Sequence, residues 1–124
     1  IVGRVAAGNP ILAEEHIENT IHFDPTMLPK GAGGHPLFAL TVFGDSMRDQ
    51  GILDGDTVIA KQVPTANIGD LVVALVDNET TVKSLYFRDD MAELRPANPD
   101  YESQFYPLDR VSIQGVVIAL HRTL

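Results

Sequence analysis

Two side chains of this sequence are of types that could carry out nucleophilic chemistry together. One is a serine in a glycine-bearing turn, Gly44-Asp45-Ser46-Met47, and the other a lysine inside a β-patterned run, Thr81-Val82-Lys83-Ser84-Leu85. A serine hydroxyl is a weak nucleophile at neutral pH and needs a base beside it, and lysine can be that base only as the uncharged amine. Burial favours that form, because a dry surrounding penalises the ammonium. The chemistry open to such a pair is acyl transfer, including hydrolysis of a peptide bond. A candidate substrate lies in the same chain, at Val2-Gly3-Arg4-Val5-Ala6-Ala7-Gly8. Ala6, Ala7 and Gly8 have almost no side chains, so an extended backbone there can enter a narrow cleft that would reject larger residues. Arg4 and Val5 before them, and Asn9-Pro10 after, would set register and bend, since proline shapes a turn without donating a hydrogen bond.

Each of these residues also has a plainer reading. A serine after Gly-Asp is commonly a turn former or a helix cap. A lysine in a strand commonly lays its stem on apolar surface and keeps its ammonium in water. A run of small residues is commonly a flexible linker. The turn at Ser46 suits chemistry in one respect: consecutive backbone N–H groups at Ser46 and Met47, at the start of a helical turn, can face a developing oxyanion.

The elements that must position these groups read as β-structure. Residues 37–43 form a largely buried strand ended by Gly44-Asp45, and Asp54-Gly55 turns into a second strand over 57–63. Residues 70–76 and 80–87 flank Asp77-Asn78-Glu79, a short polar connection that predicts a hairpin. Arg88-Asp89-Asp90 turns toward a strand over 91–95. Residues 96–107 are loop-rich, and 111–120 supply a long last strand in which Gly115 predicts a bulge or bend. One helical turn is expected over 47–50. Side-chain alternation puts Lys83 on one face with Thr81, Leu85 and Phe87, and Val82, Ser84 and Tyr86 on the other. If the first face meets the core, the lysine pKa falls.

Composition narrows the function classes. The 124 residues are 44% hydrophobic, enough for a single domain with a core. The division expected is a cleavage-site segment and arm over 1–30 followed by a β domain over 31–124. A net charge of −8 argues against these residues gripping a phosphate backbone. There is no cysteine, hence neither a disulfide framework nor a thiolate metal site. No apolar stretch approaches the roughly 20 residues that span a bilayer, so no membrane role is expected. A first residue other than methionine suggests a fragment or a processed product. His16, His22, His35 and His121 show no i, i+4 pair and no HExxH, so no metal or other cofactor is expected, although a triad of Ser46 with one of them remains open. Asp54-Gly55-Asp56 lacks the rest of a calcium loop and reads as a turn, and Glu14, Glu15 and Glu18 as solvated surface.

Four motifs, Gly3-Arg4-Val5-Ala6-Ala7-Gly8, Gly44-Asp45-Ser46-Met47, Gly51-Ile52-Leu53-Asp54-Gly55-Asp56 and Thr81-Val82-Lys83, resemble in this order the LexA family of self-cleaving repressors, over nearly the whole chain. The resemblance implies a highly twisted all-β domain of small sheets or a partly open barrel, of the kind shared with signal peptidases, with little helix. It implies Ser46 as nucleophile, Lys83 as general base, and a cut between Ala7 and Gly8. It also implies a homodimer formed through the C-terminal region, a RecA filament on single-stranded DNA as activator, a bacterial cytoplasmic setting, and operator binding through an N-terminal winged helix-turn-helix domain that these residues do not include. Gly44-Asp45-Ser46 is spelled as in UmuD polymerase subunits and leader peptidases too, whereas Ala-Ala-Gly favours the repressors over the Cys-Gly site of UmuD-type proteins. The rival functions are therefore a UmuD-like subunit, a leader-peptidase-like enzyme acting on another protein, and a dimerisation module without catalysis.

Overall fold

The computed structural model of the chain describes residues 2–5 and 35–122. Eight strands occur among them: β1 (Val2–Val5), β2 (Leu37–Val42), β3 (Thr57–Lys61), β4 (Leu71–Val76), β5 (Glu79–Arg88), β6 (Met91–Arg95), β7 (Gln104–Pro107) and β8 (Val111–His121). They form one sheet in the order β1-β2-β3-β8-β4-β5-β6-β7. β2 to β8 pair antiparallel, and β1 runs parallel to β2. Although β2, β3, β8 and β4 separate β1 from β5 in that order, β1 also lies against β5, so the sheet curls round on itself. The all-β, partly open barrel expected from the sequence is the fold observed. No α-helix occurs among the described residues, only short 3₁₀ turns such as Arg48–Gln50 and Leu108–Arg110.

β4 shows why these residues make this sheet. It is apolar at every position, and its alternate side chains enter two different cores. Val73 joins Phe38, Leu40, Val42, Met47, Ile52 and Val58 on one face. Val72, Ala74 and Val76 join Leu85, Ala92 and Leu94 on the other. A strand covered on both faces loses the polar positions of a half-exposed one. Each of these larger side chains contributes about 1.5–3 kcal/mol on full burial.

The turns are equally local in origin. β4 and β5 are joined by Asp77 and Asn78, whose φ angles of 49° and 72° are left-handed, a conformation that Asp and Asn tolerate and a tight hairpin requires. Glu79, expected in the connection, already pairs with Val76. The bulge expected near Gly115 is present: pairing skips a residue of β8 on each side, from Ala119 to Val117 against β3 and from Gly115 to Ile113 against β4. A Cβ on Gly115 would lie 2.6 Å from the Lys61 carbonyl oxygen and 2.8 Å from the Phe38 ring, so only glycine fits there.

Two strands differ from the sequence expectation. β7 falls inside the stretch read as loop, being a short edge strand whose residues are mostly exposed and so carry no alternating pattern. β1 falls inside the expected arm, and its strand character comes from pairing with β2. Ala7 and Gly8 lie outside the described residues.

Candidate active site

Ser46 stands where the chain leaves β2. Gly44 turns it there with a left-handed φ of 85°, and its N–H donates to Asp54 Oδ1 at 2.7 Å. Met47, 2% exposed, plugs the turn into the core beside Leu40 and Ile52. The helical turn expected over 47–50 is the 3₁₀ turn Arg48–Gln50, closed by Gly51 at φ 80°. Among the described residues no acceptor engages the backbone N–H of Ser46 or Met47.

A second segment grips the same turn from outside. The Ala97 N–H donates to Ser46 O at 2.8 Å, and the Asp49 N–H donates to Ala97 O at 2.7 Å. Asn98 Nδ2 donates to Asp45 O at 2.9 Å, and the Tyr101 hydroxyl donates to Asp45 Oδ1 at 2.7 Å.

Lys83 arrives from β5, which lies between β4 and β6 in the interior of the sheet. It is paired across from Val72 and shares its face with Thr81 and Leu85. Its Nζ is 2.9 Å from Ser46 Oγ, 2.8 Å from Thr81 Oγ1 and 3.2 Å from Val82 O. Burial lowers its pKa from 10.5 to about 8, because removal of water penalises the ammonium. The structure thus brings Ser46 and Lys83 together in the lining of a cleft of about 270 Å³, with Thr81, Leu94, Tyr101 and Tyr106 among its other walls.

This geometry has a specific chemical capacity. Three oxygens match the three N–H bonds of an ammonium. When the amine is neutral, its two N–H bonds go to Thr81 Oγ1 and Val82 O, and the lone pair is left facing the Ser46 hydroxyl. Proton transfer from hydroxyl to amine then needs no rearrangement of either side chain.

Reading the sequence missed the groups that hold this site. Asn98 is a buried amide inside a proline-flanked loop, where its type and neighbours signal only a turn. Asp56, read only as part of a turn, is buried at 4% exposure. Its carboxylate accepts from the Leu53 N–H at 2.7 Å, from Arg122 Nε at 2.8 Å and from Arg122 Nη2 at 2.5 Å. The Arg122 hydrogen bonds hold the Asp56 carboxyl below the usual carboxylate range. Arg122 also donates to Gly51 O at 2.8 Å, tying the last strand to the end of the serine turn. His35 and His121 sit on exposed surface away from the cleft, and His16 and His22 lie outside the described residues. Among the described residues no three metal-ligating side chains cluster, and no helix there is long and apolar enough to cross a membrane.

A family model described as Peptidase S24-like matches residues 1–118. The chain is similar to the LexA repressor of Acidiphilium cryptum (strain JF-5), with 46% identity over 123 residues, covering 98% of this chain and 52% of that protein. It is 45% identical over 124 residues to the LexA repressor of Syntrophomonas wolfei, covering 100% and 58% respectively. It is 43% identical over 125 residues to the LexA repressor of Azoarcus sp. (strain BH72), covering 99% and 60%. The chain therefore spans little more than half the length of these relatives.

Proposed function

The chain belongs to the Peptidase S24-like family, and on that premise we propose that it is the self-cutting domain of a LexA-like repressor, a serine endopeptidase whose substrate is its own Ala7-Gly8 bond. The observation that carries the proposal is the 2.9 Å approach of Lys83 Nζ to Ser46 Oγ, with the lysine pKa brought down to about 8. In the first step the neutral amine takes the Ser46 proton as Oγ attacks the Ala7 carbonyl carbon. The oxyanion that forms is held by the backbone N–H groups of Ser46 and Met47. The C–N bond then breaks, the lysine returns its proton to the departing Gly8 nitrogen, and Ala7 remains as an ester on Ser46. Water, deprotonated by the same amine, hydrolyses the ester and restores the hydroxyl.

Two features of the fold support an intramolecular cut. β1 runs parallel to β2, with Val5 opposite Val42, so the residues preceding Ala7 head the same way as the chain that leads into Ser46. β1 also lies against β5, the strand that bears Lys83. Having enzyme and substrate in one chain replaces a diffusional encounter with a conformational one. Control then rests on whether the segment is docked. A RecA filament on single-stranded DNA, if it binds the docked form better, accelerates cutting by that difference in affinity and no more.

The remaining partners follow the relatives. Operator binding belongs to the part of the longer proteins that this chain does not span, in keeping with a net charge of −8 here. Homodimerisation falls to the apolar residues of β8, half-buried Ile118 and exposed Leu120 among them. The setting is the bacterial cytoplasm.

Mass spectrometry of the purified chain, incubated from about pH 6 to about pH 10, tests the reading across the lysine value of about 8. Fragments ending at Ala7 and beginning at Gly8 should appear at a rate that rises through that value and then levels, and Ser46→Ala should yield none. A chain that stays whole at every pH would sink the proposal.

A further inference from the structure

Asp45, the residue immediately before Ser46, is held at both ends by one short stretch of chain. Its carbonyl oxygen accepts from Asn98 Nδ2 at 2.9 Å, and its carboxylate accepts from the Tyr101 hydroxyl at 2.7 Å. That stretch is itself tied by internal hydrogen bonds. Asn98 Oδ1 takes the Asp100 N–H at 2.9 Å, the Tyr101 N–H donates to Asn98 O at 3.0 Å, and Asn98 is 4% exposed. Ala97 adds the bond to Ser46 O. Asn98 is the buried foot of the clamp and Tyr101 its outer arm, because the phenol reaches the cleft as one of its walls. Tyr101 is 45% exposed and joins neither apolar core, so the core does not explain where its ring is set.

We propose that Tyr101 and Asp45 form a positioning pair that fixes the rotation of the serine turn, so that Ser46 Oγ faces Lys83 Nζ and the phenol stands as part of the cleft wall. This rests on the reading of Ser46 and Lys83 as the cutting pair. A misplacement of about 1 Å can cost roughly a hundredfold in rate, so a hydrogen bond one residue from a hydroxyl 2.9 Å from its base acts on rate before it acts on folding. Tyr101 itself touches no reacting atom and works through Asp45.

The test measures self-cleavage rate against pH, together with thermal melting, for the unaltered chain, Tyr101→Phe, Asp45→Ala, Asp45→Asn and the double variant Tyr101→Phe with Asp45→Ala. Tyr101→Phe removes only the hydroxyl. It should lower the plateau rate by about tenfold or more, the lower end of what one hydrogen bond to a charged group contributes. The pH midpoint should stay at the lysine value and the melting temperature should hold. Asp45→Ala should fall similarly, and the double variant should fall no further than either single one. Asp45→Asn still offers an oxygen to the phenol and should lose less than Asp45→Ala. Full-rate cleavage by Tyr101→Phe, or losses that multiply in the double variant, would overturn the pairing. A midpoint moved toward that of free lysine would also overturn it, because the change would then be loosened packing around Lys83. An unaltered chain that never cuts would instead overturn the dyad reading, and the positioning role with it.

Discussion

Lys83 and Asp56 are both charged side chains withdrawn from water next to the loop that follows β2, and the fold treats them in opposite ways. Asp56 is given a counter-charge: Arg122 reaches it with two N–H bonds and holds it ionised. The partners of Lys83 among the described residues are uncharged oxygens, and burial pulls its pKa down to about 8. A buried charge with a partner stays charged and serves as a tie between β8 and the serine turn. A buried charge without one becomes easy to neutralise, and a neutral amine is what a base must be. On the proposed function, the same lack of a counter-ion that costs stability supplies reactivity.

The largest expected effect breaks the lysine side of that contrast. Lys83→Arg keeps a cation in the cleft but removes any neutral form at accessible pH. Self-cleavage followed by gel or mass spectrometry should slow by about a hundredfold to ten-thousandfold, the usual contribution of a positioned general base. Cutting at an undiminished rate would mean that Lys83 is not the base.

Next comes the aspartate side. Among the described residues Arg122→Ala leaves the buried Asp56 carboxylate with only the Leu53 N–H as partner, and urea denaturation should show a loss of about 2–3 kcal/mol. That figure is kept below the value for a fully buried pair because the Arg122 side chain is 38% exposed. A loss within a few tenths of a kcal/mol would reduce the Arg122–Asp56 tie to an ordinary surface ion pair.

The smallest effect sharpens the comparison through pH. The folded value of Lys83, about 8, lies below the 10.5 of the unfolded chain, so between them the unfolded chain binds more protons and stability rises with pH. Asp56 gives the same slope in the acid range, but there it is the charged form that the fold stabilises. Its folded value lies below the unfolded 3.8, so its contribution is present above 3.8 and is lost as pH falls through the folded value. Lys83→Met should therefore flatten the alkaline limb of the stability curve and raise stability at neutral pH by on the order of 1 kcal/mol. The acid limb should stay as it was. Denaturation curves across pH check both statements, and an alkaline rise that survives Lys83→Met would have to be credited to another group.

Legibility from sequence divides along the same line as range. β4 and β5 could be read because apolar runs and an Asp-Asn turn act on their nearest neighbours in the chain. Gly115 could be read as a bulge for the same reason, although the close Lys61 carbonyl that demands glycine there could not. β7 could not be read, since an exposed edge strand carries no apolar alternation. Asn98 and Arg122 could not either: nothing in a proline-flanked asparagine or a near-terminal arginine reveals that the chain folds them back on Asp45 and Asp56.

What the sequence by itself determined is the β architecture, through side-chain alternation and turn residues, together with the two residue types, Ser46 and Lys83, on which hydrolytic chemistry can rest. What only the tertiary structure decided is that they meet. The 2.9 Å approach depends on β5 lying inside the sheet, on Met47 anchoring its turn in the core, and on the segment around Asn98 closing over it. Proximity and desolvation are properties of packing between distant parts of the chain. Local patterns set the energy of a strand or a turn, but the pKa of an amine answers to everything that has displaced its water.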